Sequence, residues 1–483
     1  MSARPRPVIV WFRSDLRLDD HPALSAAIKT GAPVIPLYIL DDGIGGRWKR
    51  GAASRWWLAK SLEALASDIS QRGGRLILRR GETISELRHV ADEADASAIY
   101  FTREYEPATI ALENQLNVSF SGGEILLKRY GGTLLREPED LRTSSGGSYQ
   151  VFTPFWRAFQ SDLTVARVIA APEKLEAPAC SLTSDDIADW ALLPVKPDWS
   201  GGLAEAWQPG ARGAQDQLKT FVDDALNIYA KDRDRLDHFG TSRLSPHLAF
   251  GEISPAACWR AATSALREAG ASERSTETFL KEIIWREFCY SLLFHFPDMP
   301  DEPLRKEFAT LEWSKKSSDL KAWQTGKTGY PIVDAGMREL WATGYMHNRA
   351  RMITASFLTK HLLLPWQLGE AWFWDTLVDA DLANNSANWQ WVAGCGAEAA
   401  PYFRIFNPVL QGQKFDPDGD YVRRWVPELA GLPAPFIHAP WTADGPALKR
   451  ASVVIGKSYP APIVDHKAAR SRALEAFEKL KRV

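Results

Sequence analysis

Pro7-Val8-Ile9-Val10-Trp11-Phe12, then Arg13-Ser14-Asp15-Leu16-Arg17-Leu18-Asp19-Asp20, then His21-Pro22-Ala23-Leu24-Ser25-Ala26-Ala27-Ile28, is the stretch whose reading decides the fold. A short unbroken apolar run closed by a polar loop reads as a strand buried on both faces. The segment opened by Pro22 reads as a helix to Ile28. The same unit then recurs. Strand candidates follow at residues 34–40, 75–78, 98–101 and 124–127, separated by helix candidates at 54–71, 84–94 and 107–117. The first of these helices carries Trp57, Leu58, Leu62, Leu65 and Ile69 at helical spacing, with Ser54 available as a cap. Strand and helix in alternation predict a doubly wound parallel sheet over residues 1–135, joined by right-handed crossovers. Ligands of such sheets sit at the carboxyl ends of the strands. Gly43-Ile44-Gly45-Gly46 follows the second strand but lacks the third glycine of a dinucleotide fingerprint, so it reads as a loop.

Regularity fades over residues 136–214, where Pro, Gly and Ser are frequent, as in Ser144-Ser145-Gly146-Gly147 and Lys196-Pro197-Asp198-Trp199-Ser200-Gly201-Gly202. Phe152, Phe155, Trp156 and Trp190 in the same segment predict a connector that wraps over its neighbours. From residue 215 to 483 the pattern is helical, with candidates at 218–229, 255–267, 276–294, 331–340, 347–363, 370–377 and a charged last helix at 467–481. The fold class expected is a Rossmann-like α/β domain, a connector, and an all-α domain.

Size and composition bound the function. A chain of 483 residues exceeds one ordinary core. Its 45% hydrophobic and 24% charged content is that of a soluble globular protein, and no apolar stretch reaches the length of a membrane span. The net charge of -2 excludes a uniformly basic nucleic-acid binder but allows a local basic groove. Cys180, Cys258, Cys289 and Cys395 form no CxxC pair, which argues against a metal or iron–sulfur ligand set and fits a reducing cytoplasm. The outlying number is 20 Trp, eleven of them from Trp285 onward. Each buried indole N–H wants a partner, so Trp is a demanding way to fill a core.

Asp379-Ala380-Asp381-Leu382-Ala383-Asn384-Asn385-Ser386-Ala387-Asn388-Trp389-Gln390-Trp391 sets two carboxylates, three asparagines and two indoles in thirteen residues. Its plain reading is an Asp-capped helix start followed by core aromatics. Gly240-Thr241-Ser242-Arg243-Leu244-Ser245-Pro246 offers N–H groups and hydroxyls for a phosphate, although Ser245 alone reads as an N-cap before Pro246. Glu282, Trp285 and Arg286 share a helix face, where a surface ion pair is the plain alternative. Asn348, Arg351 and Met352 share another, with Arg349 turned aside. Trp313, Trp366 and Trp389 are single indoles on separate elements.

Taken together these motifs resemble the photolyase/cryptochrome family of blue-light flavoproteins. The resemblance rests on Trp11-Phe12-Arg13-Ser14-Asp15-Leu16-Arg17, the Gly240 to Pro246 turn, Trp285-Arg286-Glu287-Phe288, and Lys327-Thr328-Gly329-Tyr330-Pro331-Ile332-Val333-Asp334-Ala335. It continues through Met346 to Arg351, the Asp379 to Trp391 run, and Pro401-Tyr402-Phe403-Arg404-Ile405-Phe406-Asn407-Pro408. It implies an α/β antenna domain and an all-helical domain holding FAD. By the same resemblance, Tyr229, Thr241, Ser242, Arg243, Leu244 and Ser245 grip the FAD pyrophosphate, and Arg286, Asn348 and Arg351 lie around the flavin. Asp379 and Asp381 lie near the flavin ring and ribose, and Asn385 opposite flavin N5. Trp389, Trp366 and Trp313 match a chain that carries electrons from the surface to the flavin.

Repair of a cyclobutane pyrimidine dimer requires a flipped-out lesion, hence a flat wall, an acid on the pyrimidine edge, and cations for flanking phosphates. The resemblance assigns Trp285 and Trp391 as walls, Glu282 as acid, Met352 and Asn348 to the lesion pocket, and Arg233, Arg349 and Arg404 to DNA. Asn385 stands where plant cryptochromes carry Asp, so a light-driven DNA-repair lyase is expected ahead of a photoreceptor without repair activity. Met352 stands where a (6-4) enzyme is expected to place His, and Gly51 to Leu58 is more like plant cryptochromes than like the enterobacterial enzyme. That combination is similar to the class III bacterial cyclobutane-dimer photolyases, acting on DNA as a monomer. Ala108-Thr109 departs from the Asn-Glu of the enterobacterial folate helix, so the folate site must differ. Methenyltetrahydrofolate remains the antenna expected, with a deazaflavin second.

Overall fold

The computed structural model describes residues 5–268, 270–402 and 404–480. Phe403 of the motif above and Lys481 of the last helix candidate lie outside them. The chain forms two compact units. One comprises Met1–Tyr149, Thr153–Asn227 and Ser242–Pro297, the other Gln150–Phe152, Ile228–Thr241 and Asp298–Val483.

The first unit is built on a five-stranded, all-parallel sheet in the order β3-β2-β1-β4-β5. β1 (Val8–Phe12) and β2 (Val34–Leu40) are buried along their whole length, as is β4 (Ala98–Thr102). Strands covered on both faces need continuous apolar runs, which is why these three are plain in the sequence. β3 (Ile77–Arg80) and β5 (Leu126–Tyr130) instead start two residues later than their apolar content predicts. Their bounds follow the pairing, Leu37 with Ile77 and Ala98 with Leu126, which carries each strand on into Arg79-Arg80 or Lys128-Arg129. β5 is an edge strand, and its charged residues blunt the open edge.

Four helices cross between the strands: α1 (Pro22–Ile28), α2 (Ala52–Ser70), α3 (Thr83–Ala94) and α4 (Pro107–Ser119). α2 begins earlier than predicted, with Gly51 at the cap position; Ser54 is a buried residue of its first turn. The indole of Trp57 finds its partner in Glu252, at 3.0 Å. That buried carboxylate also accepts from Gly210 N at 2.7 Å and from the Ser61 hydroxyl, and it faces His247 Nδ1. Residues 169–176 are bonded to the sheet and its first helices: Asp20 N, Val34 N and Leu175 N bond to Ile169 O, Glu176 O and Arg72 O. Trp190 is buried, its indole donating to Asp185 Oδ2 at 3.1 Å.

The Trp11 to Arg17 motif is a buried charge network beyond the carboxyl end of β1. Asp15 accepts from Arg13 N at 2.7 Å and meets His21 Nε2 at 3.0 Å. Burial alone would raise the Asp15 carboxyl, but His21 holds it well below the usual range. Arg13 pairs with Glu113 at 2.6 Å, and Arg17 donates to Gly251 O at 2.8 Å. Ion pairs this deep cost desolvation and work by fixing the loop in one arrangement.

The second unit is helical. Its core gathers Trp323, Trp366, Phe373 and Trp389 with Leu358, Leu362 and Met346. The helix expected at 347–363 is α-helical over Asn348–Ser356 and widens to a π turn at Phe357–His361. The candidate at 218–229 differs likewise: α-helix at Ala211–Thr220, a π turn at Phe221–Ala225, and a fresh α turn at Tyr229–Asp232. Apolar spacing reports that a segment coils, and it misses one inserted residue. The Lys327 to Ala335 motif is a loop lock. Buried Asp334 accepts from Thr328 N at 2.7 Å, Gly329 N at 3.1 Å and the Tyr459 hydroxyl at 2.6 Å.

Candidate active site

In the second unit, His347 caps the Asn348–Ser356 helix by accepting from Arg349 N through Nδ1 at 3.1 Å. That bond assigns the ring hydrogen to Nε2. His347 is pushed down to about 4, first by burial and then by Arg349, Arg351 and Arg233, against the pull of Asp234. Arg351 donates through Nε to Met346 O at 2.7 Å and through Nη2 to Asp379 Oδ2 at 2.8 Å. Burial alone would lower its pKa, but Asp379 more than offsets it and the guanidinium stays charged. The Tyr345 ring lies 5.2 Å from that guanidinium, and its side chain bonds to Thr241. On the same helix Asn348 is exposed, while Met352 and Arg349 are half-buried.

The Asp379 to Trp391 run is both a capped helix start and a built site. Asp381 caps the Leu382–Ala393 helix, its Oδ1 accepting from Asn384 N at 2.8 Å. One turn on, Asn385 donates through Nδ2 to Glu370 O at 3.1 Å, and Ser386 Oγ donates to Glu370 Oε1 at 2.6 Å. With its N–H engaged, the Asn385 amide presents its carbonyl oxygen as an acceptor. Trp389 is buried against Phe373 and Trp323, with ring centroids 5.0 and 6.2 Å away. It fits there because residue 369 is glycine: a Cβ would lie 2.0 Å from its Cη2. Trp366, three residues before Gly369 on the Trp366–Thr376 helix, shares that face by spacing. Trp366 and Trp389 are each 2% exposed, and half-buried Trp313 packs on the same core. Trp389, Trp366 and Trp313 are therefore gathered in the core of one unit, two buried and one half-buried. Tyr229 is buried under Arg233, Trp391 is half-buried, and Arg404 is exposed.

The remaining predicted residues belong to the first unit. Glu282 and Trp285 are half-buried on the Glu273–His295 helix, Trp285 packing edge-on against Phe288 at 5.7 Å. Arg286 is buried, donates to Thr133 O at 2.9 Å and lies over the Tyr290 ring at 4.6 Å. Its neighbour Glu287 accepts from Leu135 N and Arg136 N, and burial raises it to about 7. In the hydroxyl-rich turn, Ser242 O accepts from Gln217 Nε2 at 2.9 Å. Arg243 takes a positive φ of 53° and lays its guanidinium over Trp207 at 4.2 Å. Leu244 is the cap of the Ser245–Ala249 turn, and Ser245 is its first residue rather than its cap.

Three supporting residues escaped the sequence reading. Glu370, a lone acid among Trp366, Trp372 and Trp374, orients Asn385 and Ser386. Gln390, between two indoles, donates to Met299 O at 2.7 Å and Glu302 O at 2.8 Å and accepts from Leu304 N at 2.9 Å. Trp323 backs Trp389 and donates to Thr354 O at 3.0 Å. A single polar group inside an apolar run was the available signal for the first two, since a buried polar group needs partners.

Residues 8–179 match a family model described as DNA photolyase, and residues 279–479 one described as the FAD binding domain of DNA photolyase. Over 482 residues the chain is 50% identical to the deoxyribodipyrimidine photo-lyase of Agrobacterium fabrum, covering 100% of both. It is 37% identical to cryptochrome-1 of Arabidopsis thaliana, spanning 98% of this chain and 70% of that one. A solved bacterial class III photolyase from Agrobacterium tumefaciens superposes with a TM-score of 0.97 at 49% identity, covering 100% of this chain and 99% of that one. A Synechocystis cryptochrome gives a TM-score of 0.87 at 31% identity, covering 99% and 100%. A five-stranded parallel sheet, a helical unit with the Arg351–Asp379 pair and a tryptophan-rich core, and likeness over the full length lead to one conclusion: the chain belongs to the DNA photolyase/cryptochrome family.

Proposed function

We propose that this protein is a light-dependent DNA-repair lyase that splits cyclobutane pyrimidine dimers, of the class III bacterial type. FAD, when bound and reduced, supplies the electron that opens the cyclobutane ring on excitation by blue light and then takes it back. The chain's residues bind, orient and shield. Arg351, kept charged by Asp379, is fitted to hold negative charge beside the flavin. Tyr229, Asn348, Asp381, Arg286 and the Thr241 to Ser245 turn complete the proposed cofactor grip. Glu282 is the proposed acid on the pyrimidine edge, with Trp285, Trp391 and Met352 as pocket walls and Arg233, Arg349 and Arg404 on flanking phosphates.

The observation that carries the repair reading is Asn385. Its Nδ2 is held by Glu370 O, so an acceptor oxygen is offered where the flavin of a repair enzyme bears a hydrogen in its reduced form. An acid there would offer a proton instead. The functional division proposed is an antenna domain at 1–135, a connector at 136–214 and a catalytic domain at 215–483. For the antenna we propose methenyltetrahydrofolate, with a deazaflavin second. Thr109 is buried and bonds to the Glu106 carbonyl, so the folate contacts come from other residues than in the enterobacterial type. A monomer in the cytoplasm is proposed, in keeping with four cysteines that form no CxxC pair in the sequence. The test is chromatographic. Reduced protein with a dimer-containing oligonucleotide restores free thymine under blue light and not in the dark. Tight binding without splitting under light would overturn the lyase reading in favour of a photoreceptor.

A further inference from the structure

Arg349 has two partners within its own unit. Its Nη2 meets Asp234 Oδ1 at 2.7 Å, and its guanidinium lies 4.4 Å from the centre of the Phe415 ring. The side chain is only 17% exposed, against 39% for Asp234. Asp234 belongs to Lys231-Asp232-Arg233-Asp234-Arg235-Leu236-Asp237, in which the signs alternate. Leu236 N donates to Phe415 O at 2.9 Å, so both partners of Arg349 are carried by one joined piece of backbone. Among the cations nearby, Arg235 pairs with Asp237 at 2.8 Å, Arg351 pairs with Asp379 at 2.8 Å, and Arg233 lies over the Tyr229 ring. Three guanidinium groups and the Asp234 carboxylate all act on the His347 imidazole, so this carboxylate sits inside a cationic cluster.

A carboxylate and a phosphodiester offer a guanidinium the same charge-assisted, in-plane hydrogen bonds, and they compete for it. The outcome depends on how closely a phosphate approaches. On an undamaged duplex the backbone keeps its regular path. Extruding a damaged nucleotide bends that path and carries its phosphates toward the protein. We infer that Asp234 is a positioning residue that latches Arg349 in the free protein and on undamaged DNA, and yields it to a backbone phosphate only at a flipped-out lesion. This rests on the repair function proposed above. Arg349 is then a conditional phosphate contact. The latch weakens binding to every duplex that must open it, and its distinctive mark is the number of phosphates engaged.

The test is the salt dependence of binding to two duplexes of one sequence, with and without a dimer, for the holoprotein and the variants Asp234→Asn, Asp234→Glu and Arg349→Ala. Each phosphate engaged steepens the logarithmic slope by ~0.9. Asp234→Asn is expected to steepen the slope on undamaged DNA by ~0.9 and leave the slope on damaged DNA where it was. It tightens damaged-site binding about fivefold, the scale of a partly exposed ion pair. Asp234→Glu restores the wild-type slopes, and Arg349→Ala flattens only the damaged-DNA slope. In the double variant Asp234→Asn/Arg349→Ala the effects of the Asn vanish. An unchanged undamaged-DNA slope in Asp234→Asn, or equal flattening on both duplexes in Arg349→Ala, would overturn the latch. Blue-light splitting by the wild type is the control: if it holds while the slopes stay put, the latch alone falls. If splitting itself is absent, the repair function falls and takes the latch with it.

Discussion

At the scale of residues, the proposed function rests most of its chemistry on one tryptophan and one amide. Trp389 is buried, ringed by Phe373 and Trp323, and packs on the Gly369 face of the helix that carries Trp366. The Trp389→Phe variant is expected to abolish photoreduction of oxidised FAD while dimer splitting by chemically pre-reduced enzyme survives. Absorbance under illumination and a thymine assay read the two separately, and unchanged photoreduction would show another route to dominate. The Asn385 carboxamide is aimed by the main-chain carbonyl of Glu370, which Glu370→Ala keeps, but that variant leaves Ser386 Oγ without its acceptor and is expected to cost ~1–3 kcal/mol of stability by urea denaturation. The candidate site residues stood out in the sequence because they are unusual there: a polar run ending in two indoles, or an Arg after an Asn. Their supports were less so. Glu370 and Gln390 look like stray polar residues in apolar helices until their partners, 15 and 91 residues away at Asn385 and Met299, are known.

At the scale of elements, packing faces and termini decide function. The Trp366–Thr376 helix accepts Trp389 only because residue 369 has no side chain; in Gly369→Ala the new Cβ would lie 2.0 Å from Trp389 Cη2 and 2.6 Å from Leu358 Cδ2. Overpacking of this kind costs ~1–3 kcal/mol. The displaced indole should also slow photoreduction, which flash spectroscopy reads. The terminal His466–Leu480 helix docks through a bond between His466 Nδ1 and His361 Nε2 at 2.8 Å and a stack of Phe477 on Tyr402 with centroids 4.5 Å apart. Burial pushes His361 down to about 3, with His466 lowering it further. A histidine held neutral in the fold stabilises fully above its unfolded value near 6.5, and that contribution is lost as pH falls toward 3. Stability is therefore expected to drop by about 1.4 kcal/mol per pH unit in that window for this proton. Denaturation of His361→Gln should give a flatter profile there. Strands buried along their whole length were read to within one residue of their ends, whereas β3, β5 and the two π turns were not, because an edge strand and an inserted residue leave no apolar signature.

At the scale of the molecule, a net charge of -2 makes DNA binding a matter of local charge. Arg349→Ala should lower the salt slope on dimer-containing duplex by ~0.9, read by fluorescence anisotropy. The alternation of strand and helix foretold the doubly wound sheet, and helical periodicity foretold the second unit. Composition alone did not foretell that the segment from Ser242 to Pro297 packs in one compact unit with the sheet, since nothing in helical spacing records which neighbour a helix chooses. The central claim is that the reduced flavin held by these residues gives its electron to a bound dimer. Time-resolved fluorescence of the reduced holoprotein tests it most directly. Dimer-containing DNA is predicted to shorten the flavin's excited-state lifetime in step with the appearance of restored thymine, while undamaged DNA leaves it alone. A lifetime unchanged in a saturated dimer complex would contradict the account.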